Sequence, residues 1–293
     1  MVSNLVSNPV SKNDDGHGAL RVVPRRHVAR DVVSVVCVLL LAAVVWSAAT
    51  NERFGWPVVA HYFLSPLVLV GLWNTILVTV LSMLLAFVLG VVVELMNESG
   101  APVLKFISGI YLWVFRGTPL LVQVIILFNI SALYPKIGFG IPFTNIGTGP
   151  IDVNSVITPF AVGVLALGIN EGAYMAEVIR GGILAVPAGQ IDAAKSIGMK
   201  PMQVFFKIVF PQAIRSIIPA TGNQVISMMK ASSLVSVIAF PDLLYSVQAI
   251  YARNFQTIPL LIVASIWYLI VTTVLMAVQR VVERHYTRKG AER

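Results

Sequence analysis

The 293-residue chain is 57% hydrophobic and only 12% charged, with a mean hydropathy of +0.84. Charged residues make up roughly a quarter of a typical soluble domain, so the composition excludes an ordinary soluble protein and indicates a membrane protein. The net charge of +8 is no argument for nucleic acid binding, because basic residues in a membrane protein concentrate in its cytoplasmic loops.

Six long apolar runs predict six membrane-spanning helices, because a helix needs about 20 consecutive apolar residues to cross a bilayer. The runs lie at residues 31–50, 67–95, 107–130, 157–179, 216–239 and 259–282. The expected fold class is therefore an all-α membrane protein with about six transmembrane helices.

The lead before the first run, residues 1–30, is polar and is interrupted by Gly and Pro residues. Such a composition predicts a disordered segment. A cleaved signal peptide is the alternative explanation of the first run, because basic residues precede an apolar stretch. Both the run and the lead are too long for a signal peptide, so we interpret the first run as a membrane anchor.

Basic residues are unevenly distributed among the segments between the runs. Four or five lie in each of three segments, namely the lead, residues 180–215 and the C-terminal tail after residue 283. The three intervening segments contain one each, Arg53, Lys136 and Arg253. Because cytoplasmic loops carry the excess of Lys and Arg, this pattern predicts that both termini and the 180–215 segment are cytoplasmic.

The third run contains the sequence "FRGTP" near its start. Pro119 lacks a backbone N–H, so it frees a backbone carbonyl and permits a kink in the span. Arg116 is long enough to reach the cytoplasmic interface from this position. The sequence therefore predicts an irregular third span with a cation at its bend.

The fourth run carries charges where lipid would penalise them, Glu171, Glu177 and Arg180. Ionisable residues in such segments are usually paired or line a polar cavity. Glu177 and Arg180 have the i, i+3 spacing of a pair on one helix face. Gly168 and Gly172 have the spacing that favours close packing against another helix.

Glu171 allows two interpretations. Its carboxylate binds the cation of a substrate, or it is neutralised by Arg116 or Lys230 from neighbouring spans. Lys230 lies deep inside the fifth run, where it cannot easily reach the interface, so it also needs a partner.

Residues 189–211 are unusually polar for this chain. Pro187 and Gly189 interrupt the helix that precedes them, and "QIDAAKSIG" then resumes helical periodicity. Gly198 ends that helix and Pro201 suits the first turn of the next. The segment thus predicts a helix, a turn and a second helix, with Pro211 at the entry to the fifth span. Small residues on the exposed face favour docking of another protein, and two amphipathic helices resting on lipid headgroups are the alternative.

The same segment resembles the E-A-A signature of permease subunits of bacterial ABC importers. The matching residues are Asp192, Ala193, Ala194, Gly198, Ile208 and Pro211. Asp192 replaces the usual Glu, and Phe210 replaces the usual Leu. The stretches "FRGTPLLVQ", "LALGINEGAYMAEVIRGGI" and "PATGNQVISMMKASSLVSVI" are similar to the polar amino acid permeases, the group that includes histidine, glutamine and arginine importers.

The resemblance covers residues 67–285 and implies a type I ABC importer permease core. The remaining parts are the 1–30 lead, the 31–66 segment with an additional N-terminal span, and the 286–293 tail. It implies a transport subunit of the bacterial cytoplasmic (inner) membrane, not an enzyme, with no catalytic residue and no metal site. The chain has no G-x-x-x-x-G-K-[ST] phosphate loop, so ATP-Mg is expected on a partner subunit and no cofactor on this chain.

The implied partners are cytoplasmic ATPase subunits, a substrate-binding protein, a second permease copy or paralogue, an amino acid and membrane lipid, but no nucleic acid. The six signature residues would dock the ATPase, and loops such as 131–156 would meet the binding protein. Candidate pathway residues are Asn170, Glu171, Glu177, Arg116, Gln224 and Lys230.

Two other functional classes are weaker explanations of the sequence. A secondary transporter would usually show internal repeats, and a membrane enzyme would need convergent catalytic groups. The chain shows neither pattern. If Glu171 faces the pathway, basic amino acids such as arginine, lysine or histidine are the leading substrate candidates, because a carboxylate favours a cationic ligand.

Overall fold

The structure is a computed structural model that describes residues 28–138 and 151–291. The chain forms two compact units, Met1–Asn51 and Glu52–Arg293. The described part of the first unit is helix α1 (Val28–Thr50), which is long and apolar enough to cross a membrane. The lead was expected to be disordered. Its residues 1–27 lie outside the described part, so this stays a prediction.

The described part of the second unit is almost entirely helical, and its two short strands pair as an antiparallel hairpin with Lys136 opposite Asp152. Its elements in chain order are a 3₁₀ turn (Glu52–Phe54), α2 (Trp56–Phe63), α3 (Pro66–Glu98), α4 (Pro102–Gly117), α5 (Leu120–Phe128), α6 (Ile130–Leu133), β1 (Lys136–Ile137), β2 (Ile151–Asp152), α7 (Val153–Val156), α8 (Pro159–Leu184), α9 (Ala188–Ser196), α10 (Pro201–Val204), a π-turn (Phe205–Val209), α11 (Phe210–Ala231), a 3₁₀ segment (Ser232–Ile238), α12 (Leu243–Asn254) and α13 (Thr257–Ala291).

The predicted all-α membrane fold is confirmed. Within the described ranges, five helical segments are long and apolar enough to cross a membrane, and α4 with α5 would make a sixth if the bent pair is one span. The third predicted span is therefore not one helix. It consists of two helices that meet at an angle of 104°.

Two spans begin with the same local device. Ser65 caps α3 by accepting a hydrogen bond from the Val68 N–H, and Thr158 caps α8 by accepting one from the Ala161 N–H. A proline follows each cap directly. Because a hydroxyl satisfies a free N–H of the first turn and proline needs no such partner, these pairs fix where α3 and α8 start.

Pro211 lies in the first turn of α11, as expected of a proline at the entry to the fifth span, but no break separates α11 from the helix before it. The helix continues from Pro201 through the π-turn into α11. The Phe210 N–H bonds to the Phe205 carbonyl, five residues back, immediately before Pro211. This wider turn makes room for a proline ring, which would otherwise clash with a carbonyl of the preceding turn.

Helices α3 and α8 pack closely through glycines. A Cβ added at Gly168 would lie 2.7 Å from a Leu85 methyl, and one at Gly172 would lie 2.9 Å from Leu89 Cβ. Gly90 of α3 meets Met175 of α8 in the same way. The predicted close-packing glycine pair is confirmed, and it makes α8 the central helix of the bundle against which the site residues are placed.

Asp242 is a buried polar residue where α3, α12 and α13 meet. It lies in the connection between two of the candidate spans. Its Oδ1 atom accepts a hydrogen bond from the Tyr245 N–H at 2.8 Å and so caps α12, while the next residue, Leu243, donates its N–H to the Thr75 hydroxyl at 2.9 Å. Asp242 has no exposed surface, and its Oδ2 atom has no hydrogen-bond partner among the residues that the structure describes. Burial raises the pKa of Asp242 from about 3.8 to about 7.

We expect Asp242→Asn to remove a destabilisation of the folded state that depends on pH. Because the folded-state pKa of Asp242 is raised, burying the ionised form destabilises the fold as pH rises from about 4, and the cost is complete above about pH 7. Asn keeps the capping oxygen without the charge. The melting temperature of the variant should therefore exceed that of the wild type by an amount that grows from pH 5 to pH 8, equivalent to roughly a few kcal/mol at pH 8.

Asp152→Asn is the matched control, because Asp152 also accepts a backbone N–H, that of Asn154, but is exposed. Its melting temperature should follow the wild type at every pH. A wild type and an Asp242→Asn variant with parallel pH profiles would contradict the assignment of Asp242 as a buried carboxyl group.

Candidate functional site

The candidate site is built around the break between α4 and α5. Gly117, Thr118 and Pro119 separate the two helices, and Thr118 is extended, with φ −118° and ψ 146°. Pro119 has no N–H to continue the α4 ladder, so carbonyls at the end of α4 lose their usual helical partner. In an apolar segment these groups must be satisfied by the protein itself.

Side-chain amides satisfy the carbonyls at this break. Asn170 of α8 donates from Nδ2 to the Phe115 carbonyl at 2.8 Å and to Gln123 Oε1 at 3.0 Å. Gln123 of α5 donates from Nε2 to the Thr118 hydroxyl at 2.7 Å and to the Phe115 carbonyl at 3.2 Å. The predicted irregularity at Pro119 is thus confirmed, and Asn170 holds it against α8.

A tyrosine fixes α4 against α8 nearly two turns before the break. The Tyr111 hydroxyl donates to the Ile169 carbonyl at 2.6 Å. A Cβ at Gly172 would lie 2.7 Å from the same hydroxyl oxygen. The absence of a side chain at Gly172 therefore serves both the α3 contact and this α4 contact.

An ion pair joins the end of α4 to α8. Arg116 Nη1 lies 2.9 Å from Glu177 Oε1, and its guanidinium carbon lies 5.8 Å from the ring centroid of Tyr174. The predicted partner of Glu177, Arg180, is more distant, with its Nη1 atom 4.0 Å from the same oxygen. These charged side chains are partly exposed, so the pair contributes more to positioning than to stability.

Glu171 is the unsatisfied acid of the site. Only 9% of the residue is exposed, and Oε1 has no hydrogen-bond partner within the described residues. Arg116, one of the two cations proposed to neutralise it, bonds to Glu177 instead. Residue 171 adjoins the exposed Tyr174 at i, i+3 spacing, so Glu171 lies at the boundary between the α3 contact and the exposed face of α8.

The predicted pathway residues fall into two groups. Asn170, Glu177 and Arg116 come together where α4 meets α8, and Glu171 lies buried on the same helix α8. Gln224 and Lys230 lie on α11, where Gln224 is half-buried and Lys230 is exposed. Lys230 makes no ion pair with any described acid, so the structure does not bring it to Glu171.

Three contributors were not singled out in the sequence, namely Gln123, Tyr111 and Tyr174. Gln123 ends the quoted stretch "FRGTPLLVQ", and an amide one turn after a proline break is a signal that could have been used. The two tyrosines act through long-range contacts. Tyr111 bonds to Ile169, which is 58 residues away in sequence, and Tyr174 contacts Arg116, which lies on another helix. Local spacing carries no information on such contacts.

The signature segment forms the expected helix, turn and helix. Helix α9 ends at Ser196, Gly198 has a φ of +79°, and Pro201 lies in the first turn of α10. A left-handed residue directly after a helix suits glycine, which has no Cβ to clash. The predicted stop at Gly198 and start at Pro201 are therefore confirmed.

The signature residues differ in exposure. Asp192, Ala193 and Pro211 are exposed, Ile208 is half-buried, and Ala194 is buried against Val186, Val204, Val209 and Ala213. Ala194 thus packs within the chain and is not available for close contact with another protein. Ile197 belongs to the stretch predicted to be helical, but it lies beyond the last helical residue and is 79% exposed.

A side-chain contact braces this segment against the following span. Gln212 Nε2 donates to Gln190 Oε1 at 2.6 Å and to the Ile208 carbonyl at 2.8 Å. The start of α9 is therefore tied to the start of α11. Movement of α9 as a body is expected to pull on α11.

Metal chemistry finds no support in this part of the molecule. Among residues 28–138 and 151–291, no three His, Cys, Asp or Glu side chains lie close enough to hold a metal ion. The acids of the site instead face arginines or remain unpaired.

Comparison with protein families gives a match over most of the chain. The family described as "Binding-protein-dependent transport system inner membrane component" matches residues 86–288. The matched range contains the α4–α5 break, α8, the signature segment and α11.

Similar proteins match at comparable length. An arginine transport system permease protein, ArgU, of Corynebacterium glutamicum is 41% identical over 273 residues, which cover 92% of this chain and 84% of that protein. An L-cystine transport system permease protein, TcyB, of Bacillus subtilis is 35% identical over 238 residues, covering 81% and 93%.

A solved structure of an amino acid ABC transporter with histidines superposes with a TM-score of 0.64 at 35% identity. The match covers 75% of this chain and 94% of the other.

We expect Asn170→Leu to destabilise the α4–α5 break. The change keeps a similar volume but removes both hydrogen bonds that Asn170 donates, to the Phe115 carbonyl and to Gln123 Oε1, and leaves that carbonyl only the longer bond from Gln123. Each lost hydrogen bond costs about 0.5–1.5 kcal/mol. Thermal unfolding in detergent should therefore occur several degrees below that of the wild type.

Asn129→Leu provides the control, because Asn129 also donates its amide to a carbonyl, that of Ile125, but is exposed. Its melting temperature should change little. Equal losses in the two variants would show that Asn170 has no special role at the break.

Proposed function

Because this chain belongs to the family of binding-protein-dependent transport system inner membrane components, we propose that it is the membrane-spanning subunit of an ATP-driven importer of polar amino acids. Its second unit has the type I fold of an ABC importer permease, as the sequence resemblance predicted. It moves its substrate by alternating access, and the energy comes from a separate ATPase. The observation that carries this proposal is the braced, solvent-exposed segment 189–211 within the family match.

The ATPase docks on α9 and the turn that follows it. Asp192 and Ala193 are exposed on α9, and Ile197 presents a large apolar side chain to solvent directly after it. The other signature residues act inside the chain: Ala194 and Ile208 pack the helices together, Gly198 shapes the turn, and Pro211 follows the π-turn. This division gives a rigid docking body whose displacement is transmitted to α11.

The chain needs partners for each step of transport. ATP-Mg binds to cytoplasmic ATPase subunits, and a periplasmic or extracellular binding protein delivers the amino acid to loops such as 131–156, of which residues 139–150 lie outside the described part. A second copy of this permease or a paralogue completes the pathway, and lipid covers the remaining apolar surface. The chain itself is a transport subunit without catalytic residues or cofactors.

The orientation follows from the basic residues. Both termini and the 189–211 segment lie in the cytoplasm of a bacterial cell, with α3 and α8 starting at the outer face of the cytoplasmic membrane. The hairpin of β1 and β2, which precedes α7 and α8, then lies outside, where a binding protein can reach it.

The substrate pathway passes beside α8. Asn170 holds the break, Arg116 and Glu177 form a charged edge, and Gln224 and Lys230 contribute from α11. Glu171 is the candidate contact for a substrate cation, because its buried carboxylate has an oxygen without a partner. A charge-assisted hydrogen bond to an ammonium or guanidinium group would satisfy that oxygen, which favours basic amino acids.

We expect Glu171→Gln to impair transport without impairing folding. The variant is nearly isosteric, and no cation of the described residues loses a partner, so the melting temperature should stay the same or rise. ATP-driven uptake of arginine, lysine or histidine into vesicles containing the ATPase and the binding protein should fall about tenfold or more, because a hydrogen bond to a charged group contributes about 1.5–3 kcal/mol.

Glu177→Gln is the comparison at a partly exposed acid of the same helix: it leaves Arg116 without its carboxylate, and its melting temperature should change little because exposed ion pairs contribute little to stability. Undiminished uptake of every basic amino acid by a well-folded Glu171→Gln protein would remove Glu171 from the pathway. Failure of the wild-type assembly to take up any amino acid would instead refute the proposed transport function.

A further inference from the structure

Helix α11 carries a polar face where a lipid-facing helix would carry an apolar one. Ser216, Asn223, Ser227 and Lys230 are all exposed, and their spacings of seven, four and three residues place them on one side of the helix. The opposite side is buried, with Met228 and Met229 packed inside the bundle.

The exposed faces of the other spans are different in character. On α13, for example, the exposed side chains include Leu269, Ile270, Val274 and Val278, as expected for contact with lipid. A lysine on a lipid-facing helix at mid-membrane costs at least about 2.5–3.5 kcal/mol. The polar face of α11 therefore borders water or protein, not hydrocarbon.

Lys230 lies far from either surface of the membrane. The neighbouring Met229 sulfur lies 3.5 Å from the Thr79 hydroxyl, and Thr79 is 13 residues inside the 33-residue helix α3. At 1.5 Å per residue this is about 20 Å from the start of α3. Lys230 is thus near the middle of the bundle, where a cation needs a partner anion.

No described residue provides that anion. Arg116 and Arg180 both approach Glu177, whereas Lys230 has no acidic partner among the described residues. Ser233 donates to the backbone carbonyl of Lys230 and leaves its ammonium group free. The described part of the chain therefore leaves Lys230 available to an anion that binds from outside it.

The anion common to all amino acids is the α-carboxylate. We propose that the polar face of α11 lines the substrate pathway and that Lys230 binds the α-carboxylate of the transported amino acid; this assignment rests on the proposed transport function. Ser227, one turn before Lys230 on the same face, offers a hydroxyl to the same group.

The order of the two charged sites follows from the packing. Gly168 of α8 meets Leu85 of α3, which is six residues, or about 9 Å, further along α3 than Thr79. Glu171 lies one turn beyond Gly168. A substrate that enters from the end where α3 begins therefore meets Lys230 before Glu171, with its carboxylate leading.

A comparison of arginine with agmatine, which lacks only the carboxylate, tests the role of Lys230. Binding of each is measured on the detergent-solubilised permease–ATPase complex without binding protein. The wild type should bind arginine about tenfold or more tightly than agmatine, as expected for a charge-assisted hydrogen bond. Lys230→Met should bind both with equal affinity, whereas Lys230→Arg should keep the preference.

Lys105→Met serves as the control, because Lys105 is an exposed lysine of α4 away from the α11 face, and it should keep the wild-type preference. A tenfold preference for arginine that survives in Lys230→Met would overturn the assignment while leaving the transport function intact. Absence of ATP-driven amino acid uptake by the wild type would remove the transport function itself.

Accessibility of the α11 face tests the pathway independently of Lys230. In a Cys37→Ala background, which removes the single native cysteine, Ser227→Cys should react with a small charged methanethiosulfonate reagent. Ser265→Cys is the control. Ser265 is also an exposed serine in a span, but it lies on α13, one turn before the exposed apolar residue Leu269. Equal reactivity of the two cysteines would overturn the assignment of α11 to the pathway.

Discussion

The Phe115 carbonyl is the group on which the arrangement of the site depends. The break at Gly117–Pro119 frees it inside an apolar segment, where an unsatisfied carbonyl is costly. Asn170 satisfies it from α8 and Gln123 from α5. This closure holds α4 and α5 at their 104° bend and brings Arg116 within 2.9 Å of Glu177. The irregular helix is therefore not a defect in the span but the means by which charged side chains are placed against α8.

Within the described part of the chain, this arrangement leaves Glu171 and Lys230 without a partner of opposite charge. Glu171 is buried with a free carboxylate oxygen, and Lys230 is exposed on α11 with no acid beside it. If Glu171 and Lys230 had a purely structural role, they would be expected to pair with each other. They instead lie at different depths in the helix bundle. An amino acid carries both a cation and an anion, so one substrate molecule is suited to satisfy each group in turn.

Much of the fold follows from local patterns in the sequence. Apolar runs gave the spans, Pro119 gave the break, the Gly168–Gly172 spacing gave the α8 packing, and Gly198 gave the left-handed turn. Long-range contacts could not be obtained in this way. The i, i+3 rule favoured Arg180 as the partner of Glu177, but the closer partner is Arg116, 61 residues away. Likewise, the burial of Ala194 depends on side chains from the end of α8 and from the helix that starts at Pro201.

The central claim is that an ATPase drives this permease through the turn at Gly198, and a matched pair of substitutions tests it most directly. Gly198→Val has open space around its side chain but must adopt a φ near +79°, which strains a β-branched residue. Gly100→Val has the same open space without a left-handed backbone. ATP-driven uptake and ATPase co-purification are measured for both. The account predicts that Gly198→Val still assembles with the ATPase but loses uptake, whereas Gly100→Val transports normally. Normal uptake by an assembled Gly198→Val complex would contradict it.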